Sequence, residues 1–388
     1  MEQAYLNIQT RGNLSSLIWM GSSLKYSNDS DSLLCHVYYA SLNFRDIMMA
    51  TGKLSQTNIG IYNWTPGFEV AGRLDSGRRI MGFTQSPGVA TKVIVDSNQI
   101  WDVPNDWTLE EASTVPVAYT TAYYALVMRG RIQRGERVLI HSGSGGVGQA
   151  SIAVALHYGC EVFTSVGTKE KREFLKRRFP TLEDRHFCNS RNLSFEKHIL
   201  RETNGEGVEV ILNSLAEEKL KASLNCMAQN GRFLEIGKYD LFKDTAIGME
   251  LFLKNISLHG IVLDAIWEDT QCNLSAKKEL VQLLYDGIAS GCVRPLNSII
   301  FDYKEAENAF RYMASGKHIG KVVIKIRSEE PQIKAIPTPV RVLAFSDTLF
   351  NPEQSYVIIG GLGGFGLEMC QWMVERGAKH HLDFTFWN

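Results

Sequence analysis

The chain has 388 residues, 44% of them hydrophobic and 21% charged, with a formal net charge of -1. That length holds two or three domains, each with its own core, and the balanced charge gives no electrostatic case for nucleic acid or an anionic membrane surface. No secretory signal or membrane-span pattern is visible, and the 7 cysteines are scattered, so a cytoplasmic protein with reduced thiols is expected.

Residues up to about Val117 read as β-rich. Leu33–Tyr39, Arg79–Phe83 and Thr91–Val95 are short strand candidates separated by Gly, Asn and Ser turns. From Leu109 a helix is expected through Tyr124, and alternating strands and helices then predict a parallel sheet. Its first strand, Val138–Ile140, runs into Gly143-Ser144-Gly145-Gly146-Val147-Gly148, a Gly-x-Gly-x-x-Gly element that opens a helix. The first glycine permits the turn, the second lets a pyrophosphate approach, and the third lets helix and strand pack closely. Backbone N–H groups at the helix start then face the phosphates. All six residues are expected dinucleotide contacts.

Glu161–Val166 is the next strand. An NAD site usually ends this strand with Asp or Glu to hold the ribose 2′-hydroxyl. Here the continuation is Ser165-Val166-Gly167-Thr168-Lys169-Glu170-Lys171-Arg172. Cations in a first helical turn oppose the helix dipole, and no acid ends the strand, so NADPH is favoured over NADH. Lys171 is the expected 2′-phosphate ligand, with Ser165, Thr168 and Arg172 assisting; the competing reading is a solvated basic helix face.

Further strands are expected at Val208–Asn213, Gly231–Gly237 and Ile256–Val262, then a helix over Ala306–Met313 and a strand over Lys321–Ile326. Residues 327–354 carry prolines without periodicity and read as a linker. Ser355–Gly366 then repeats the strand-then-glycine pattern, followed by a helix over Leu367–Arg376. The few residues beyond it are too short for a second nucleotide domain, so the chain is expected to break off inside one.

Tyr38–Asp46, Asp102–Glu111, Val117–Tyr124, His141–Gln149, Leu212–Leu220, Phe233–Lys238 and Ala314–Val323 together resemble the medium-chain dehydrogenase/reductase superfamily. More narrowly, they resemble the enoyl reductase domain of animal-type fatty acid synthase, and Tyr356–Lys379 resembles the opening of the ketoreductase domain that follows it. The residues after His381 depart from that pattern, and no ketoreductase activity is assigned. The resemblance implies an α/β architecture: a GroES-like β-barrel head (1–118, returning over 260–326) around a Rossmann NADPH-binding domain (119–259), then the linker and a truncated second Rossmann start (355–388). It also implies a homodimer, the other domains of a synthase as partners, and an enoyl substrate bound to acyl carrier protein.

Zinc alcohol dehydrogenases share this superfamily, yet their ligand positions hold Ala40–Asp46 and Gly67-Phe68-Glu69 here, so a metal-free site is expected. Without a Lewis acid, an α,β-unsaturated thioester is an easier hydride acceptor than a carbonyl. Addition at Cβ gives an enolate that needs charge stabilisation and a proton at Cα. Lys238 follows one strand end and Asp264 another, both where ligands bind open α/β sheets. The resemblance makes Lys238 the proton donor and Asp264 its acidic companion. A surface lysine and a helix-start aspartate are the structural alternative, and Asp240 is a rival partner for the ammonium. Asn43 and Arg45 are read either as contacts of the nicotinamide end or as structural, Thr121 with Thr120 as lining of the cofactor cleft, and His141 as a structural histidine. The expected activity is NADPH-dependent reduction of trans-2-enoyl thioesters in fatty acid synthesis. The alternatives are a stand-alone quinone or alkenal reductase and a non-catalytic NADPH-binding fragment.

Overall fold

The computed structural model describes residues 3–22, 31–54, 65–84, 87–267, 274–330, 337–346, 350–351, 353–376 and 378–384. The head contributes β1 (Gln3–Ile8), β2 (Leu17–Ser22), β3 (Ser32–Leu42), β4 (Glu69–Leu74), β5 (Arg79–Phe83), β6 (Lys92–Asp96) and β7 (Ile100–Asp102). The middle contributes β8 (Arg137–Ile140), β9 (Glu161–Val166), β10 (Phe187–Asn189), β11 (Val208–Asn213), β12 (Met227–Glu235) and β13 (Ser257–Gly260). The chain then returns through β14 (Ser298–Asp302) and β15 (Lys321–Lys325), and the tail adds β16 (Phe345–Ser346), β17 (Ser355–Ile359) and β18 (His380–Phe384).

β8 to β13 form one parallel sheet in the order β10-β9-β8-β11-β12-β13. Both faces of such a sheet are covered by helices, so its inner strands are continuous apolar runs; Val138, Leu139 and Ile140 are fully buried. The head forms a second sheet in the order β14-β15-β3-β4-β5-β7, with β6 on β3. Because β15 pairs antiparallel with β3, Val322 lies beside Leu42 and the returning segment completes the head. This is the medium-chain dehydrogenase/reductase arrangement of barrel-like head and Rossmann-type sheet.

The helix expected over Leu109–Tyr124 is three pieces. Leu109–Ala112 is capped by Thr108 and Glu111, each satisfying the other's backbone N–H. Pro116, which fits a first helical position, opens Pro116–Ala122, and Tyr123–Arg129 widens into a π-helix. Among elements the sequence reading did not predict is Leu274–Ala289, which packs against Pro116–Ala122 and the π-helix.

After β15 the chain stays on the head. Arg327 donates from Nε to the Val37 carbonyl and from Nη2 to that of Thr91, and β16 pairs with β2. The tail was expected to be too short for a second nucleotide domain; in it β17, the Gly364–Glu375 helix and β18 form one βαβ unit with β18 parallel to β17. Ile358, Cys370, Met373 and Ala378 give it a small core. Among the described residues, no helix is long and apolar enough to cross a membrane.

Candidate active site

The glycine-rich turn leaves β8 at His141, a buried and neutral residue. Ser223 donates its hydroxyl to the Lys219 carbonyl, so it accepts from His141 Nε2 at 2.9 Å. Nδ1 is then the acceptor for the Ser165 hydroxyl at 2.8 Å. Burial pushes the imidazole down to about 3, which keeps this single tautomer. Ser165 was expected beside the 2′-phosphate. That expectation is corrected: it is fully buried, and its oxygen holds His141 and the Ser142 N–H from beneath the turn.

Above this support the Gly146–His157 helix starts at Gly145. A Cβ on Gly148 would fall on the Ser142 carbonyl and on Gly143 Cα, and one on Gly143 would strike Thr164. The turn and the helix therefore touch backbone to backbone, leaving the first helical N–H groups facing outward. Gly148→Ala is expected to push them apart, weakening NADPH binding at least tenfold and costing about 1–3 kcal/mol of stability. Paired NADPH fluorescence titrations and melting curves check this; unchanged binding would show that the close approach is dispensable.

Beside the cradle, at the ends of β9 and β10, lies a cationic corner. Thr168 caps the Lys169–Arg178 helix by accepting the Lys171 N–H. Lys171 donates from Nζ to the Gly316 carbonyl at 2.7 Å; burial and then the Arg191 guanidinium lower its pKa. Arg191 lies over the turn after β9, where a Cβ on Gly167 would sit 2.6 Å from its Nε. Sequence reading missed Arg191, although an arginine just past the next strand end is the available signal. Arg172 is corrected in the other direction: it turns away to Asp184 and stacks on Phe187.

A loop from the head closes over this corner. Gly320 donates to the Ser144 carbonyl at 2.8 Å, and its strand-like bridge to Gly145 joins the two domains at the cradle. His318 on this loop has a buried Nδ1 without a hydrogen-bond partner, and burial, then Lys171 and Lys321, push it down to about 4. An unsatisfied buried ring nitrogen, two cations and a glycine cradle, with no acid at the end of β9, fit a dinucleotide carrying a 2′-phosphate.

Asn43 is used structurally. Lys321 reaches Glu69 Oε1 at 2.6 Å and Asn43 Oδ1 at 2.8 Å, while Asn43 Nδ2 donates to Glu69 at 3.0 Å. Glu69 also accepts the Val117 N–H at 2.8 Å, at the start of the helix that buries Thr120 and Thr121. Thus the segments where zinc-dependent relatives carry ligands hold a buried ammonium–carboxylate network. Among the described residues, no cluster of three His, Cys, Asp or Glu has a metal-ligating arrangement.

Lys238 lies three residues past Glu235 at the carboxyl end of β12, half-buried, and begins the Tyr239–Phe242 helix. Asp264 begins the Asp264–Trp267 helix after β13, the strand next to β12; its side chain lies outside the described residues. Asp240, the rival partner, commits its oxygens to the Glu217 N–H at 3.0 Å and the Thr245 hydroxyl at 2.8 Å.

A family model described as zinc-binding dehydrogenase matches residues 182–324, and a ketoreductase (KR) domain model matches residues 354–383. The chain is 36% identical over 394 residues to the highly reducing polyketide synthase poxF of Penicillium oxalicum, covering 97% of this chain and 15% of that protein. It is 35% identical, with the same coverage, to the lovastatin diketide synthase lovF of Aspergillus terreus. The chain therefore spans about 15% of the length of these curated relatives. Among solved structures, the CurK enoyl reductase superposes with a TM-score of 0.74 at 29% identity, covering 84% of this chain and 99% of that one. The apo JamJ enoyl reductase gives 0.72 at 29% identity with the same coverage. These relatives are polyketide synthases, which corrects the expected fatty acid synthase setting. Fold and matches together place the chain among medium-chain dehydrogenase/reductase domains, similar to enoyl reductases and running into the start of a ketoreductase domain, in a polyketide synthase context.

Proposed function

We propose that this chain is the enoyl reductase region of a highly reducing polyketide synthase, reducing the 2,3 double bond of carrier-bound enoyl thioesters with NADPH. The observation that carries the reading is one sheet edge bearing both the glycine cradle with its cationic corner, where no acid ends β9, and, two strands along, Lys238. The cofactor supplies hydride to Cβ when bound. Gly143 to Gly148 and the following helix start hold its pyrophosphate, and Lys171 with Arg191 hold the 2′-phosphate. Lys238 then stabilises negative charge developing on the thioester and delivers a proton to Cα. Asp264 is proposed to orient that ammonium. The carrier protein, the neighbouring synthase domains and a second copy of the chain are the partners in this reading; sedimentation of the purified chain tests the dimer.

The test is loss of NADPH absorbance with crotonyl thioester, with NADH and a simple quinone in parallel. Thioester-dependent turnover that prefers NADPH is the expected result. Quinone turnover alone would favour a stand-alone type of reductase, and tight NADPH binding without turnover would favour a cofactor-binding scaffold. Lys171→Ala and Arg191→Ala are each expected to weaken NADPH binding about tenfold, consistent with a lost hydrogen bond to a charged group, while leaving NADH binding unchanged. Equal losses for both cofactors would remove the cationic corner from the specificity site.

A further inference from the structure

The mechanism leaves one buried acid at the catalytic sheet edge without a task. Glu235 is the last residue of β12 and is 9% exposed. Its Oε1 accepts the Gly237 N–H at 2.6 Å, and its Oε2 accepts from Asn213 Nδ2 at 2.6 Å. Asn213, at the end of β11, is itself fixed, because the same amide nitrogen donates to the Leu215 carbonyl and its oxygen accepts the Leu215 N–H. On the other side, the Ile261 N–H reaches the Glu235 carbonyl at 2.9 Å, three residues before Asp264. Glu235 thus joins the ends of three neighbouring strands, β11, β12 and β13, and closes the two-residue turn from which Lys238 springs.

We propose that Glu235 is the positioning residue for Lys238: its ionised carboxylate, held by Asn213, fixes the Gly237 peptide and thereby aims the Lys238 side chain at the substrate Cα. This rests on the enoyl reductase reading and deepens it. Both carboxylate oxygens accept hydrogen bonds, and a proton on either removes the charge that strengthens both. Protonation therefore loosens the turn.

The groups acting on this carboxyl are the Asn213 amide from β11, the Gly237 N–H of its own turn, and Asp240 from the Tyr239–Phe242 helix. Lys238 lies on the same turn, and Asp264 follows β13. Burial dominates and pushes Glu235 up to about 7, against the two hydrogen bonds and with help from Asp240. The sign of the linkage is distinctive. A carboxyl raised above its unfolded value binds its proton more tightly in the folded state, so stability falls as pH rises from the ordinary carboxylate range to about 7 and is level above. Activity should do the opposite, rising through the same pH because the ionised form aims Lys238. A purely structural carboxylate would move stability and activity together.

The experiment measures kcat for crotonyl thioester at saturating NADPH, and melting temperature, between pH 5 and 9 on the order of half a unit apart. The wild-type rate should rise through a step near pH 7. Glu235→Gln should lose that step and run about tenfold slower at high pH, with the fall in melting temperature as pH rises toward 7 flattened and NADPH binding retained. Asn213→Asp, which places a second carboxylate against Glu235, should move the step to higher pH. An unchanged step in Glu235→Gln, or no shift in Asn213→Asp, would overturn the positioning role while leaving the enoyl reductase reading standing. Wild-type protein that reduces no enoyl thioester at any pH would overturn both.

Discussion

Lys238→Met is expected to lower turnover of enoyl thioesters by about 10²–10⁴-fold, the usual contribution of one positioned acid–base group, with NADPH affinity little changed. The lysine follows β12, two strands away from the cradle that leaves β8, so the substitution touches the reacting end rather than the adenosine end. Methionine keeps the length and apolar stem of the side chain while removing the ammonium. A loss of kcat with KM nearly constant would mark an interaction made in the transition state, whereas a rise in KM alone would mark uniform binding. Solvent isotope effects sharpen the result, since the proton reaching Cα then comes from water by a slower route. Unchanged kcat would remove Lys238 from proton delivery and move attention to Asp264.

The parts of this molecule that were legible in sequence are those whose reasons are local. Glu161–Val166 and Val208–Asn213 were read to the residue because β-favouring residues cluster there just after glycine-containing turns. The glycine-rich turn was legible because its glycines recur at fixed spacing and the tight approach of Gly148 is to Ser142 and Gly143 of the same turn. Features settled by distant partners were not. Strand β4 opens on Glu69 and carries Arg73 near its end, both buried, which argues against a buried strand until their partners are known. Glu69 meets Lys321 252 residues away, and Arg73 stacks over the Tyr38 ring at 5.4 Å. Asn43 was left between a cofactor contact and a structural role for the same reason, since its network with Glu69 and Lys321 has no local signature. Ser165 was misplaced because a small polar residue ending a strand reads as exposed. In the fold it supports a buried histidine instead.

The largest stability effect is expected at Lys321. This residue is 5% exposed, and its partner Glu69 is fully buried. Their 2.6 Å contact is joined by Asn43 and by the Val117 N–H, so one carboxylate ties β4, β15, the Phe44–Ala50 helix start and the Pro116–Ala122 helix together. Replacing both charges can be nearly neutral, but removing one leaves the other buried without a counterion, at a cost of about 3–5 kcal/mol. Lys321→Met should therefore lower the melting temperature by on the order of 10 °C, and Lys321→Met with Glu69→Gln should recover part of that loss. The glutamine amide carries no charge and still offers an oxygen to the Val117 N–H. The effect should also reach the cofactor, because the lysine stem passes beneath the cradle helix: a Cβ on Gly146 would lie 2.7 Å from Lys321 Cδ. Weaker NADPH binding should accompany the lower melting temperature in the single variant, and the double variant should restore both in step. Restored stability without restored binding would separate the clasp's two tasks, making the lysine's charge, rather than the apolar stem that methionine keeps, the element that seats the cofactor helix.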